Sequence, residues 1–198
     1  MQHSDKPGKE LDLARELLGE MKKAKSLSVL ETLWKRFLHH IDRVWNKAEA
    51  HYSKSPKWPN WGGKYIRLRR RDELLSYLVA ARNADEHSIS EITALKGGSF
   101  GINARDPSQG LHIKSLKFGP DGIKDISLGT EAIIEFTPAK VQLIKVHNRG
   151  QDYTPPTKHL GQPVDSGDLI VVATAALRFY ESFLRAAEVQ FLSPPVDS

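Results

Sequence analysis

The segment from Leu30 to Tyr52 constrains this chain more than any other. Leu30, Leu33, Trp34, Phe37, Leu38, Ile41, Val44, Trp45, Ala48 and Tyr52 recur at three- and four-residue intervals. At 3.6 residues per turn they form one broad apolar stripe, the pattern of a helix that buries a face in a larger core. Ser28 followed by Glu31 fits a capping box, which predicts a helix over 28–53. Comparable patterns predict helices over 11–25 (Leu13, Leu17, Leu18, Met21), 68–87 and 168–191. Residues 169–177 are apolar nearly all round, which predicts burial on several sides, by the core or by a second subunit. Pro56, Pro59, Gly62 and Gly63 predict a loop before the helix at 68, and Ser88 with Glu91 predicts a cap for one further short helix.

After Lys96 the period changes. Leu111, Ile113, Leu116 and Phe118 lead into Gly119-Pro120-Asp121-Gly122, a turn signal, followed by Ile123–Ile126, Glu131–Phe136 and Val141–Val146. These predict a small antiparallel sheet of three or four strands over about 111–147. Residues 148–163, punctuated by Pro155, Pro156, Gly161 and Pro163, read as a loop. The order of elements predicts a mainly α (α+β) fold. A helical bundle carries a β insertion between its third and last long helices, within a single domain over 1–198.

The composition is globular, with four Trp, seven Phe and five Tyr in 198 residues. No run approaches 18 apolar residues, so no membrane span is expected. The polar first ten residues lack the apolar centre of a signal peptide, and cysteine is absent, which excludes a disulfide framework, thiolate metal ligands and a cysteine nucleophile. A cytoplasmic protein is the expectation. The net charge of +5 is unevenly placed: residues 54–71 contribute +7 with no acidic residue, so the remainder carries −2. Lys57, Lys64, Arg67, Arg69, Arg70 and Arg71 are interleaved with Trp58, Trp61 and Tyr65. Cations for phosphates beside flat rings for bases is the combination that single-stranded nucleic acid requires. Solvated charges beside core-plugging tryptophans have the same composition.

The helix predicted over 68–87 contains an anomaly. Its apolar stripe is carried by Leu74, Leu75, Leu78, Val79 and Ile89, and Arg82 falls inside that stripe. An arginine on a buried face must be paired, or must face a cleft or an interface. Asn83, Asp85, Glu86 and His87 follow within one and a half turns.

Arg82-Asn83-Ala84-Asp85-Glu86-His87 resembles the motif of the HEPN superfamily (higher eukaryotes and prokaryotes nucleotide-binding domains), in which Arg, often followed by Asn, precedes His by a few residues near the end of an internal bundle helix. The resemblance covers the helical parts, about 27–91 and 168–191, and leaves the β insertion outside a minimal HEPN bundle. It implies metal-independent RNA cleavage, without cofactor, in toxin–antitoxin, phage-defence or RNA-processing settings. RNA, a homodimer partner and a possible cognate antitoxin are the partners it implies. Arg82, Asn83 and His87 would be catalytic, with Asp85 and Glu86 supporting. The chemistry is coherent in itself. A histidine of ordinary pKa, about 6.5, can take a proton from a ribose 2′-OH or deliver one to the leaving 5′-oxygen. An arginine can stabilise the charge of a phosphorane-like transition state. Arg82 and His87 lie about 140° apart on an ideal helix, so convergence calls for the long Arg reach, the helix end, or the copy in a partner subunit. Two other readings stand beside cleavage. One is a noncatalytic nucleic-acid- or protein-binding module, the other a structural partner protein with Arg82 in a buried salt-bridge network.

Gly97-Gly98-Ser99-Phe100-Gly101 matches G-x-S-x-G, but a serine-hydrolase elbow needs a strand before it and a helix after it. Here a helix is expected before and an extended segment after. The eight His form neither H-x-H nor H-E-x-x-H, and no Walker A or G-x-G-x-x-G loop occurs, so neither metal nor nucleotide cofactor is expected. His147, His159 and Tyr153 receive no role beyond surface or packing.

Overall fold

The computed structural model of the protein describes residues 7–87, 91–119 and 122–192. The chain forms two compact units: residues 96–140 make one, and the segments before and after make the other.

Among the described residues the larger unit is a bundle of five helices: α1 (Pro7–Met21), α2 (Leu27–Tyr52), α3 (Trp58–Arg71), α4 (Glu73–His87) and α5 (Leu169–Leu192). The stripe of α2 does what its period demands. From Leu33 to Tyr52 its apolar positions are buried, and α2 packs against α1, α4 and α5. The cap lies two residues earlier than expected. Ser26 is the N-cap and accepts from the Val29 amide at 3.2 Å, whereas Glu31 accepts from Thr93 Oγ1 at 2.7 Å. The sequence repeats serine at 26 and 28, and the earlier one satisfies the free amide.

The expected loop before residue 68 is instead α3. Pro59 sits in its first turn, where a missing N–H removes no helical bond. Gly62 leaves room for the Trp58 ring, since a Cβ there would lie 2.6 Å from it. The helix expected over 68–87 is therefore two helices, broken at Asp72. Asp72 is the extended C-cap of α3, and its Oδ1 accepts from the Leu75 amide in the first turn of α4. Helix α5 is buried along most of its length, with Val171 exposed in the portion expected to be covered all round. An aromatic cluster joins α2, α3 and α5: Tyr52 stacks on Phe191 at 4.9 Å, and Trp61 meets Phe183 at 5.8 Å and Tyr65 at 4.7 Å.

The β region differs from one sheet of three or four strands. It consists of separate two-stranded ribbons. β1 (Thr93–Lys96) pairs with β6 (Lys140–Leu143). Within 96–140, β2 (Ser99–Ala104) pairs with β5 (Ala132–Thr137), and β3 (Ile113–Gly119) with β4 (Gly122–Leu128). The expected loop at 148–163 holds two short hairpins, β7 (Val146–Asn148) with β8 (Gln151–Tyr153) and β9 (Lys158–His159) with β10 (Gln162–Pro163). Each turns on a residue pair of positive φ: Arg149 (50°) with Gly150 (79°), and Leu160 (49°) with Gly161 (81°). That is the turn twist a two-residue hairpin requires. The cap expected at Ser88, with Ile89, and the Pro120-Asp121 turn lie outside the described residues.

Candidate functional site

The Arg-Asn-His segment occupies the last two turns of α4, and Asp42 on α2 is the acidic group around which the neighbouring cations gather. Asp42 Oδ1 accepts from Arg69 Nη2 at 2.9 Å, and Oδ2 accepts from Asn46 Nδ2 at 2.8 Å. Arg82 Nε stands 3.4 Å from the same Oδ2 as an ion pair without an aligned hydrogen bond. Arg82 Nη1 donates to Asn83 Oδ1 at 3.1 Å, and Nη2 pairs with Glu86 Oε2 at 2.8 Å. Glu86 Oε1 in turn lies 3.2 Å from His39 Nδ1. The motif's Arg and Asn side chains are therefore in direct contact, and the Arg82 side chain is 21% exposed at the edge of the bundle. His87 is the last residue of α4, and its side chain lies outside the described residues. Asp85 turns away from this cluster and pairs with Lys35 at 3.7 Å, which also meets Glu31 and Glu91.

Arg69 does not belong to an exposed nucleic-acid surface. Its side chain is 11% exposed, its Nη1 donates to the buried Tyr180 hydroxyl, and its guanidinium lies 4.8 Å from the Trp45 ring centroid. Burial pushes the Tyr180 hydroxyl up from its ordinary range, against the lowering effect of the Arg69 charge. Trp58 does not belong to such a surface either. It is 6% exposed and faces Trp45, Tyr52 and Phe191, because the gap at Gly62 lets its ring lie along its own helix. Trp61 is half-buried in the aromatic cluster, leaving no free face pair of tryptophans for bases.

The remaining cations do form a surface. Lys57, Lys64, Arg67, Arg70 and Arg71 are all exposed. At 100° per residue they fall within about 140° of the α3 circumference. Among the described residues, none of the five has an ion-pair partner. Lys64 instead lies over the Tyr65 ring, 4.8 Å from its centroid. A groove of about 240 Å³ between α2, α3 and α4 adjoins this stripe, lined by Trp45, Glu49, Ile66, Arg69, Arg70 and Val79.

The charged residues without a sequence-derived role are structural ties. Asp72 accepts from His159 Nδ1 at 2.9 Å and from the Leu160 amide at 2.7 Å, fastening the β9–β10 hairpin to the α3–α4 junction. Burial raises its pKa, and these hydrogen bonds outweigh that and hold it below the usual carboxylate range. His147 pairs with Asp152 at 2.8 Å across β7–β8, and Tyr153 donates to Gln151. Ser99 begins β2 and is preceded by β1, not by the expected helix. With strand on both sides, the hydrolase elbow is absent. Asp42 is the site residue that motif reading missed. A signal existed, because Asp42 lies at the edge of the α2 stripe, about 40° from Leu38.

No helix among the described residues is long and apolar enough to cross a membrane. Comparison with protein-family models, with curated proteins and with solved structures gives no match.

Proposed function

We propose that this protein is an RNA-directed enzyme of HEPN type that binds the RNA backbone along α3 and cleaves it at the C-terminal end of α4 without a metal. The observation that carries the reading is the exposed stripe of Lys57, Lys64, Arg67, Arg70 and Arg71, five cations with no acidic partner among the described residues. Unpaired cations at this density favour a polyanion, whose condensed counterions they release. The neighbouring helix ends in the Arg82–Asn83 contact and His87.

In the proposed reaction the ribose 2′-oxygen attacks phosphorus while its proton passes to a base. The P–O5′ bond breaks, and the 5′-oxygen leaves with a proton. The products are a 2′,3′-cyclic phosphate and a 5′-OH end. His87 serves as the acid–base group, Arg82 stabilises the transition-state charge, and Asn83 holds Arg82. A defence or toxin role, with an antitoxin partner, belongs to the same reading. The test is incubation of labelled RNA with wild type and His87→Ala in EDTA. Wild-type cleavage to 5′-OH products, slowed about 10²-fold or more in the variant, is the expected result. Equal cleavage by both proteins sinks the assignment of His87.

A second reading, noncatalytic binding, is favoured by the surroundings of Arg82. Its three guanidinium nitrogens face Asp42, Asn83 and Glu86, so a phosphate must displace one of them. RNA binding without cleavage by wild type selects this reading.

A further inference from the structure

Between Gly97 and Lys140 no described residue is buried, although both ribbons carry paired apolar side chains. On β2–β5, Phe100 lies opposite Phe136 and Ile102 opposite Ile134. On β3–β4, Leu116 lies opposite Ile126 and Phe118 opposite Ile123. These pairs line a groove of about 1200 Å³ between the two ribbons. Phe118 and Phe136 are each 72% exposed, and Phe100, Leu111, Ile113, Ile133 and Ile134 are exposed as well. A two-stranded ribbon is marginal in water unless a further strand or layer covers its apolar face. A contiguous apolar surface beyond a few hundred Å² marks an interaction site.

The nature of the cover follows from three features. Every described strand here belongs to a two-stranded ribbon, so among the described residues each keeps an edge with free N–H and C=O groups. An acyl chain would cover the phenylalanines and leave those edges unmet; another strand-bearing polypeptide meets both. The charges of 96–140 are six basic and five acidic, with both signs interspersed. Such a surface neither repels its own copy nor selects a strongly charged partner, RNA included. Finally, at roughly 200 Å² for an aromatic side chain, the exposed Phe, Ile and Leu residues approach the ~800 Å² that one partner contributes to a standard interface.

We propose that the 96–140 unit is a self-association surface, covered by the same unit of a second copy of this chain. The interface is isologous: the Phe118 and Phe136 side chains of each copy fill the groove of the other, and free strand edges pair across the two-fold axis. This proposal stands apart from the RNA reading. A dimer without RNA cleavage leaves it intact, and cleavage by a monomer refutes it alone.

The test is sedimentation velocity with light scattering on the full chain from about 1 to 100 μM, where stable homodimers are populated. The expected mass is twice 22.2 kDa. The double variant Phe118→Lys/Phe136→Lys is expected to be monomeric with an unchanged helical circular-dichroism signal, since every described helix lies in the other unit. A second measurement leaves the apolar pairs in place. The chain has no cysteine, so Leu111→Cys alone, at the groove wall and outside the four apolar pairs, provides one thiol in the unit. A short bifunctional thiol reagent is expected to link two copies of this variant, and to leave Lys9→Cys, on α1, unlinked. A wild-type monomer throughout that range overturns the proposal. So does a dimer that persists in a helical double variant, or equal linking at both cysteines.

Discussion

Asp42 shows how one carboxylate can set the arrangement of a whole site. It is buried, and it answers Arg69, Arg82 and Asn46 at once. Removing its charge leaves two guanidiniums in the bundle with a neutral acceptor, so the loss is larger than one hydrogen bond. Asp42→Asn is expected to destabilise the bundle by about 2–4 kcal/mol, read by urea unfolding at neutral pH. An effect under about 0.5 kcal/mol would mean that the cluster is solvated. Glu10 makes a parallel case on the other side of α2. It is buried, which raises its pKa, but His40, Lys47 and Arg43 outweigh that and bring it to about 2 from an ordinary 4.5. A depressed carboxylate stabilises the fold above its unfolded pKa, and the contribution is lost as pH falls from about 4.5 through about 2. Glu10→Gln is expected to flatten the acid-unfolding curve in that window, with a wild-type contribution on the order of 3 kcal/mol at neutral pH. At this scale the sequence was informative about need and silent about supply. Arg82 inside an apolar stripe announced that a partner existed. Which of the 24 acidic residues supplied it depended on how α2 and α4 cross, and no local pattern encodes that.

Among elements, α3 departs furthest from its sequence signals. Two prolines and two adjacent glycines argue for a loop, and tertiary packing overrides them because Trp58, Trp61 and Tyr65 all find partners on α2 and α5. The two glycines have opposite reasons to be there, and that can be measured. Gly63 has only the flexible end of Arg67 near a new Cβ, at 3.7 Å. Gly63→Ala is therefore expected to raise stability by about 0.5–1 kcal/mol through helix propensity. Gly62→Ala gains the same propensity but drives a Cβ to 2.6 Å from the Trp58 ring, and is expected to lose about 1–3 kcal/mol net. Thermal melts followed by tryptophan fluorescence read both signs, and a stabilising Gly62→Ala would mean that Trp58 is not seated along α3. The exposed side of α3 has its own test. Replacing Arg67, Arg70 and Arg71 by Ala is expected to weaken single-stranded RNA binding and to lower the slope of log K against log salt by about 2, near 0.7 for each phosphate no longer neutralised. An unchanged slope moves the RNA surface elsewhere. The long helices α2 and α5 were legible to within a residue or two because a sustained period survives any context. Of the ribbons, β3–β4 was legible because its two apolar runs flank the Gly119–Gly122 turn signal, and β2–β5 was not, since its pairing is a long-range choice made across the whole β3–β4 hairpin.

For the whole molecule, the division of the core decides what each unit can do alone. Every buried apolar residue among those described lies between Pro7 and Ile92 or between Val141 and Ala187, so the larger unit owns the entire core. The inserted unit begins and ends side by side: a Cβ on Gly98 would lie 3.0 Å from the Ala139 amide nitrogen. Residues 99–138 are thus a closed excursion of the chain, and a two-residue Asn-Gly link suits the gap that their removal leaves. The trimmed chain is expected to keep its helical signal per helical residue and to unfold cooperatively, with a midpoint within about 5 °C of wild type, which corresponds to roughly 1 kcal/mol. It is also expected to sediment as a monomer. Loss of cooperative unfolding would show that the bundle depends on the insertion for its core. A folded trimmed chain that still dimerises would place self-association on the helices, with the exposed Val171 of α5 the first position to substitute. A folded monomer that still binds RNA with the wild-type salt slope would separate the two surfaces, with the polyanion on α3 and the second copy on the ribbons.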